Sequence, residues 1–206
     1  MTDNTKRNHE TQQAVAQEAV ITLFEGIHTI SSELRAAIIK NTQLRQLKRK
    51  HRLLDTGKVQ QSIYFIRQGA MRSFYLDSHG KESTSWLLFE GDLAISVYSF
   101  FGRQPSFEVL ETLEDTSLLV LSYDALMRLY SEFPEFNYIG RVLTEHYYIR
   151  SEEKANELRV YNAKKRYQHL MSRRPDVLKR IPLGIISSYL GITSSTLSRI
   201  RGNNNA

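Results

Sequence analysis

Ser194, Ser195, Ser198, Arg199 and Arg201 lie within eight residues near the end of the chain. Serine hydroxyls can donate to phosphate oxygens or meet base edges, and an arginine can hold guanine through two parallel hydrogen bonds. Set along one face of a short helix, such groups could read a nucleic acid. The free N–H groups at that helix's start would favour a phosphate in addition.

The flanking residues supply the helix. Pro182 suits a first helical turn, because the N–H it lacks would have no intrahelical partner there. Leu183, Ile186 and Leu190 then recur at helical spacing, with Ile185 and Tyr189 widening the apolar stripe. Gly191 follows where a helix ends on a left-handed residue. Thr193 is placed to cap a second helix over about 194–201, whose Leu197 and Ile200 share an inner face with Ile192. Two short helices about a tight turn make the outline of a helix-turn-helix. An ordinary helical hairpin with solvated serines and arginines has the same outline, so the rest of the chain must discriminate.

The charge is divided unevenly along the 206 residues. Residues 1–73 carry 12 Lys/Arg against 6 Asp/Glu, and residues 74–136 carry 3 against 11. Residues 137–163 balance at 4 against 4, and residues 164–206 carry 9 against 1. A basic end on an acidic body points to a nucleic-acid-binding tail attached to a domain with another task. The chain has no cysteine, which excludes disulfides, thiolate catalysis and cysteine-held clusters. It has neither an apolar run of bilayer-spanning length nor the apolar core of a signal peptide, so a soluble, cytoplasmic protein is expected.

The elements before the hairpin fall into three zones. Residues 1–18 are polar and aperiodic, and a flexible N-terminus, disordered or loosely helical, is expected there. From Ala19 two helical stripes follow, through Val20, Leu23, Phe24 and Ile27 and then from Ser32 to Ile39. The basic run Arg45–Arg52 reads as an exposed lead-in to a first strand at Leu53. Gly57, Gly69, Gly80, Gly91 and Gly102 then recur 12, 11, 11 and 11 residues apart, separating short runs rich in β-branched and aromatic residues. That rhythm signals an all-β sandwich, roll or barrel. A short helix over 123–133 and a long one over 134–161 follow; the second, about 40 Å at 1.5 Å per residue, outruns one small β domain and predicts pairing with a second copy.

This order of elements resembles the Crp/Fnr family of bacterial transcription regulators. The segments that carry the resemblance are Tyr64–Arg72, Glu90-Gly-Asp92 and Leu110–Asp115 in the β region. In the tail they are Lys165-Arg-Tyr167, Pro175, Ile181-Pro182, Ser188–Thr193 and Leu197-Ser-Arg-Ile-Arg201, the last pair being similar to the branch common in Bacteroidetes. The implied fold is α+β: N-terminal helices and a double-stranded β-roll of the cyclic-nucleotide-binding kind over 19–133, a dimerisation helix over 134–161, and a small all-α helix-turn-helix domain over 162–206.

The resemblance implies a homodimer that binds double-stranded DNA at a palindromic operator, with RNA polymerase as a partner and a small-molecule effector left unidentified. It implies base reading by Ser194, Ser195 and Arg199. Ser198 and Arg201 stand where phosphate contacts or solvated side chains are equally served, and Thr193 reads first as a structural cap that could add a phosphate contact. Lys164, Lys165 and Arg166 read as a solvated helix face in preference to a surface that steers DNA.

Two departures matter. Members that bind a nucleotide carry a glutamate for the ribose hydroxyl and an arginine for the cyclic phosphate. The matching segments here read Ile95-Ser96-Val97 and Pro105-Ser106-Phe107, so both groups are missing. A buried phosphate without its cation is strongly disfavoured, and cyclic AMP is not expected to bind in the usual manner. The degenerate pocket would be framed by Gly91, Asp92, Ser96, Arg103 and Ser106. Second, only Gly202-Asn-Asn-Asn-Ala206 follows the hairpin, so a full β-wing is not expected, and tight binding would require two half-sites about 10 bp apart.

A catalytic function would need clustered ligands or nucleophiles. The six histidines, His9, His28, His51, His79, His146 and His169, form no close pair in sequence, so no enzyme and no metal are expected. The competing expectation is a β-roll sensor that binds another protein and has lost its DNA contact.

Overall fold

The structure, a computed structural model, describes residues 3–202. Two N-terminal helices, α1 (Asp3–Glu25) and α2 (Ser32–Asn41), precede eight strands. These are β1 (Thr42–Leu47), β2 (Arg52–Leu54), β3 (Ser62–Gln68), β4 (Met71–Leu76), β5 (Glu82–Leu88), β6 (Leu93–Ala94), β7 (Glu108–Thr112) and β8 (Thr116–Ser122), with α3 (Val97–Gly102) between β6 and β7. The strands form two four-stranded antiparallel sheets, ordered β1-β8-β3-β6 and β2-β7-β4-β5. Ile66, Met71, Leu110 and Leu118 pack between the sheets.

The other face of the first sheet is covered by helices. Leu119 and Leu121 of β8 meet Val20, Phe24, Leu34 and Ile38 from α1 and α2, together with Leu126, Leu129 and Ile139 from α4 (Tyr123–Glu132) and α5 (Pro134–Val160). A strand covered on both faces has no polar side, which is why Ser117-Leu-Leu-Val-Leu121 reads as continuous rather than alternating. α5 crosses α4 at Gly140, where a β-carbon would run into the Tyr130 ring. The lone glycine of the long helix is thus a point of close helix approach, not a weakness in it.

Of the disordered and loosely helical alternatives for the polar lead-in, the structure has a helix from Asp3, which buries Ala16 and Gln17. The Gln17 side-chain amide donates to the Ile39 and Thr42 carbonyls at 2.9 and 3.1 Å. Its apolar contacts are too widely spaced among polar residues to leave a stripe. The run expected to lead into the first strand contains a strand already: β1 pairs with β8 from Thr42↔Leu121 to Leu47↔Thr116. Its outward Gln43, Arg45 and Gln46 concealed the alternation.

After α5 come α6 (Ala163–Arg173), α7 (Val177–Arg180), α8 (Leu183–Tyr189) and α9 (Ser194–Gly202). Their core is not separate from the roll. Tyr167, Leu170, Val177, Ile181, Ile186, Leu190 and Leu197 join Ala70, Leu87, Phe89 and Leu113 in one cluster. No strand follows α9 among the described residues, and residues 203–206, on which the expectation of a missing wing rests, lie outside them.

Candidate nucleic-acid interface

The α8–turn–α9 hairpin is built from local rules. Gly191 takes φ +63°, a left-handed conformation that a side chain resists. The Gly191 N–H donates to the Ser188 carbonyl and that of Ile192 to the Ser187 carbonyl, each at 3.0 Å, which closes the turn. Thr193 then caps α9: its hydroxyl accepts the Thr196 N–H at 3.2 Å. The Ser187 and Ser194 hydroxyls meet across the turn at 3.3 Å. Leu197, only 1% exposed, anchors α9 to the shared core.

That anchoring determines the outer face. Ser194, Ser195, Ser198 and Arg199 are exposed and Arg201 half-buried. Among the described residues neither arginine forms an ion pair, whereas Arg173, Arg174 and Arg180 of the same domain do. α9 thus presents hydroxyls at its start and two uncommitted guanidiniums in its last turns. Leu183, expected in the apolar stripe, is 39% exposed because α8 buries only Ile186 and Ser187 along its length. Arg166 is not part of a solvated face. Its guanidinium donates to the Leu190 carbonyl at 2.9 Å and the Tyr161 carbonyl at 2.5 Å, tying the end of α8 to the end of α5. Lys164 and Lys165 are exposed.

Contacts missed by the sequence reading fasten this unit to the roll. α8 lies against β5, the edge strand of its sheet. The Ser188 hydroxyl accepts the Thr84 N–H at 2.8 Å and donates to the Glu82 carbonyl at 3.2 Å. Arg180 reaches Glu114 at 2.7 Å, Glu90 at 2.8 Å and Asp176 at 3.4 Å. For Glu90, burial works to raise the pKa but is overcome by the hydrogen bonds from Arg180 and from the Gly69 N–H, which bring it down to about 2. Ser188 lies within an apolar pattern and Arg180 within a basic run, so neither offered a sequence signal for its partner.

Residues 44–133 match the cyclic nucleotide-binding domain family. Among solved structures, FixK2 from Bradyrhizobium japonicum superposes with a TM-score of 0.66 at 19% identity, over 79% of this chain and 83% of its own. A protein from Eubacterium rectale described as a transcriptional regulator of the Crp/Fnr family gives 0.66 at 16% identity, over 83% and 82%. CLP of Xanthomonas campestris, a c-di-GMP responsive global regulator, gives 0.64 at 13% identity, over 85% and 92%. No curated protein sequence matches the chain. The chain shares the overall fold of these structures.

Within that fold, the segment expected to frame a nucleotide pocket is closed on itself. Gly91 takes φ +86° to turn the chain into Asp92, whose carboxylate accepts the Phe89 N–H at 2.9 Å and pairs with Arg150 of α5 at 2.7 Å. Arg174 of α6 stands 3.6 Å from the same carboxylate. Ser96 and Ser106 are 2% and 1% exposed, their hydroxyls 3.4 Å apart. The Gln60 side chain, also buried, accepts the Ser96 N–H at 2.6 Å and donates to the Ser62 carbonyl at 2.6 Å.

Arg103, expected as a replacement for the missing arginine, is held by other partners. It donates to the Gln60 carbonyl at 2.8 Å and to Gln61 Oε1 at 2.6 Å, over the Tyr123 ring. The structure therefore brings Ser96 and Ser106 together but separates Arg103 and Asp92 from them. No group of three His, Cys, Asp or Glu residues gathers at metal-binding distance among the described residues, and no described helix is long and apolar enough to cross a membrane.

Proposed function

We propose that this chain is a DNA-binding transcription regulator that works as a homodimer, with α9 in the major groove. The observation that carries the reading is the outer face of α9: exposed Ser194, Ser195, Ser198 and Arg199 on a helix capped by Thr193 and anchored by Leu197. Ser194, Ser195 and Arg199 serve base edges, and Thr193, Ser198 and Arg201 serve phosphates. The excess of basic residues over 164–206 supplies the sequence-independent attraction.

Dimerisation rests on α5. Tyr138, Val142, Glu145 and Ile149 follow one another at i, i+4, i+7 and i+11, and Tyr148 and Ile149 are 66% and 57% exposed. A row that is apolar apart from Glu145, on a 27-residue helix, suits a pair of helices packed along their length. Two copies would then present two α9 helices to half-sites about one helical turn apart.

The effector is not cyclic AMP bound in the usual manner. The pocket segment carries no cation free to meet a phosphate, since Arg103 is committed to Gln60, Gln61 and Tyr123. Calorimetry with cyclic AMP and cyclic GMP is expected to show no micromolar binding, and micromolar binding of either would refute this part.

A gel-shift titration over the gene's own upstream region tests the whole. Specific binding is expected to weaken steeply as salt is raised from about 50 to 200 mM. Absence of salt-sensitive binding to any duplex would instead favour a sensor that binds protein.

A further inference from the structure

A cavity of about 70 Å³ lies where the roll, the long helix and the helix-turn-helix unit meet. Trp86 of β5, Lys154 and Glu157 of α5, Arg173 and Arg174 of α6, and Tyr189 of α8 all line it. Its cations are incompletely matched. Lys154 Nζ donates to the Tyr189 carbonyl at 3.1 Å and sits 3.3 Å from the centre of the Tyr189 ring, but no carboxylate reaches it within ion-pair distance among the described residues. An ammonium has three donors; with one on the carbonyl and one side against the ring, a further donor remains for an anion.

Arg174 has only the 3.6 Å approach to Asp92 and the face of Phe89. The one carboxylate on the wall, Glu157, stands 3.0 Å from His169 and 3.9 Å from Arg173. Burial also pushes the Lys154 ammonium down to about 8, with the nearby Arg166 adding to the effect and Glu157 opposing it.

We propose that this junction is a binding site for a phosphoryl dianion, free or as the head of a small phosphorylated molecule, held by Lys154 and Arg174. Partly desolvated cations with spare donors gain most from a dianion that accepts several hydrogen bonds at once. The volume, several times the roughly 10–15 Å³ that one water needs, admits a phosphoryl group. Trp86, Phe89 and Tyr189 would border any apolar body attached to it. The wall draws on three parts of the fold, so an occupant would strengthen the attachment of α8 to the roll and thereby bear on where α9 points. That last consequence rests on the proposed function; the binding itself does not.

The chain's single tryptophan is Trp86, so its fluorescence reports on the cavity directly. The full chain is titrated with inorganic phosphate and, separately, with phenyl phosphate, against chloride at matched ionic strength. A saturable fluorescence change is expected, with affinity lowered about tenfold or more in Lys154→Met and in Arg174→Gln, as loss of a charge-assisted hydrogen bond predicts. Lys48→Met, at an exposed site on the far end of β1, is expected to leave it unchanged. Tighter binding of phenyl phosphate identifies a phosphorylated molecule, and binding of phosphate alone identifies the free oxyanion. No saturable change in the wild-type chain with either probe, or an equal loss in Lys48→Met, overturns the proposal. DNA binding is not an element of this readout, so its failure is distinguishable.

Discussion

The hydroxyl of Ser188 on α8 accepts the backbone N–H of Thr84 on β5 at 2.8 Å. One side chain of the helix-turn-helix unit thereby takes the place of a neighbouring strand on the roll's edge. Unpaired edge groups are a liability that proteins cover, and here the cover is the unit that carries α9.

Ser188→Ala leaves that half-buried N–H without its partner. A cost of about 1–2 kcal/mol is expected from the unsatisfied donor, read as a lower urea midpoint. Hydrogen exchange at Thr84 should accelerate in the same variant. Unchanged protection there would mean that α8 does not hold the edge in solution.

Arg180 makes the roll attachment sensitive to acid. The Glu90 carboxyl titrates lower in the folded chain, at about 2, than its ordinary 4.5. Its contribution is therefore complete above about pH 4.5 and is lost as pH falls towards 2. Glu90 is 40% exposed, so solvent screening keeps that contribution modest. Melting temperatures of the wild-type chain are expected to fall more steeply between pH 4.5 and 2 than those of Arg180→Gln. Parallel curves would contradict this.

Lys154 gives the opposite sign at alkaline pH. Burial lowers its pKa from 10.5 to about 8, so between these values the unfolded chain binds more protons and stability rises with pH. Lys154→Met is expected to be more stable than wild type at pH 7, by at most about 3–4 kcal/mol before solvent screening reduces it. The difference should narrow steadily from pH 8 to about 10. Tyr147 and Tyr189, raised by burial to about 12, oppose the trend above that. Chemical denaturation across this range provides the test, and a pH-independent difference would show that Lys154 is not buried as a cation.

Arg199→Ala should relax sequence preference, at a cost of about 1–3 kcal/mol for the preferred site if the guanidinium is bidentate to guanine. The expected signature is compression of the affinity range over operator variants, with a smaller change for unrelated duplex. Equal weakening on every sequence would reassign Arg199 to a phosphate.

The hairpin was legible because its signals are local. Gly191 had to be left-handed, Thr193 had to cap, and Leu197 had to turn inward, and each requirement acts within one turn of chain. The glycine rhythm revealed the roll for the same reason, since tight turns restrict residue type. β1 was not legible, because Leu44 is its main core anchor among polar residues and its alternation becomes visible only opposite β8. The first part of α1 was hidden likewise: its buried Ala16 and Gln17 acquire meaning only against α2 and β1.

The candidate sites divide along the same line. Composition and spacing pointed to an all-β domain, a long helix and a basic helical hairpin, and the resemblance to the Crp/Fnr family implied that the domain is a β-roll without the glutamate and arginine of a nucleotide pocket. Only the tertiary structure decided that Arg103 is turned away from that pocket, that Ser188 and Arg180 fasten α8 to the roll, and that Lys154 and Arg174 meet at one cavity. Those pairs are separated by between 20 and 104 residues. Side-chain partnership over such distances depends on how packed elements come to rest, and no local spacing encodes it.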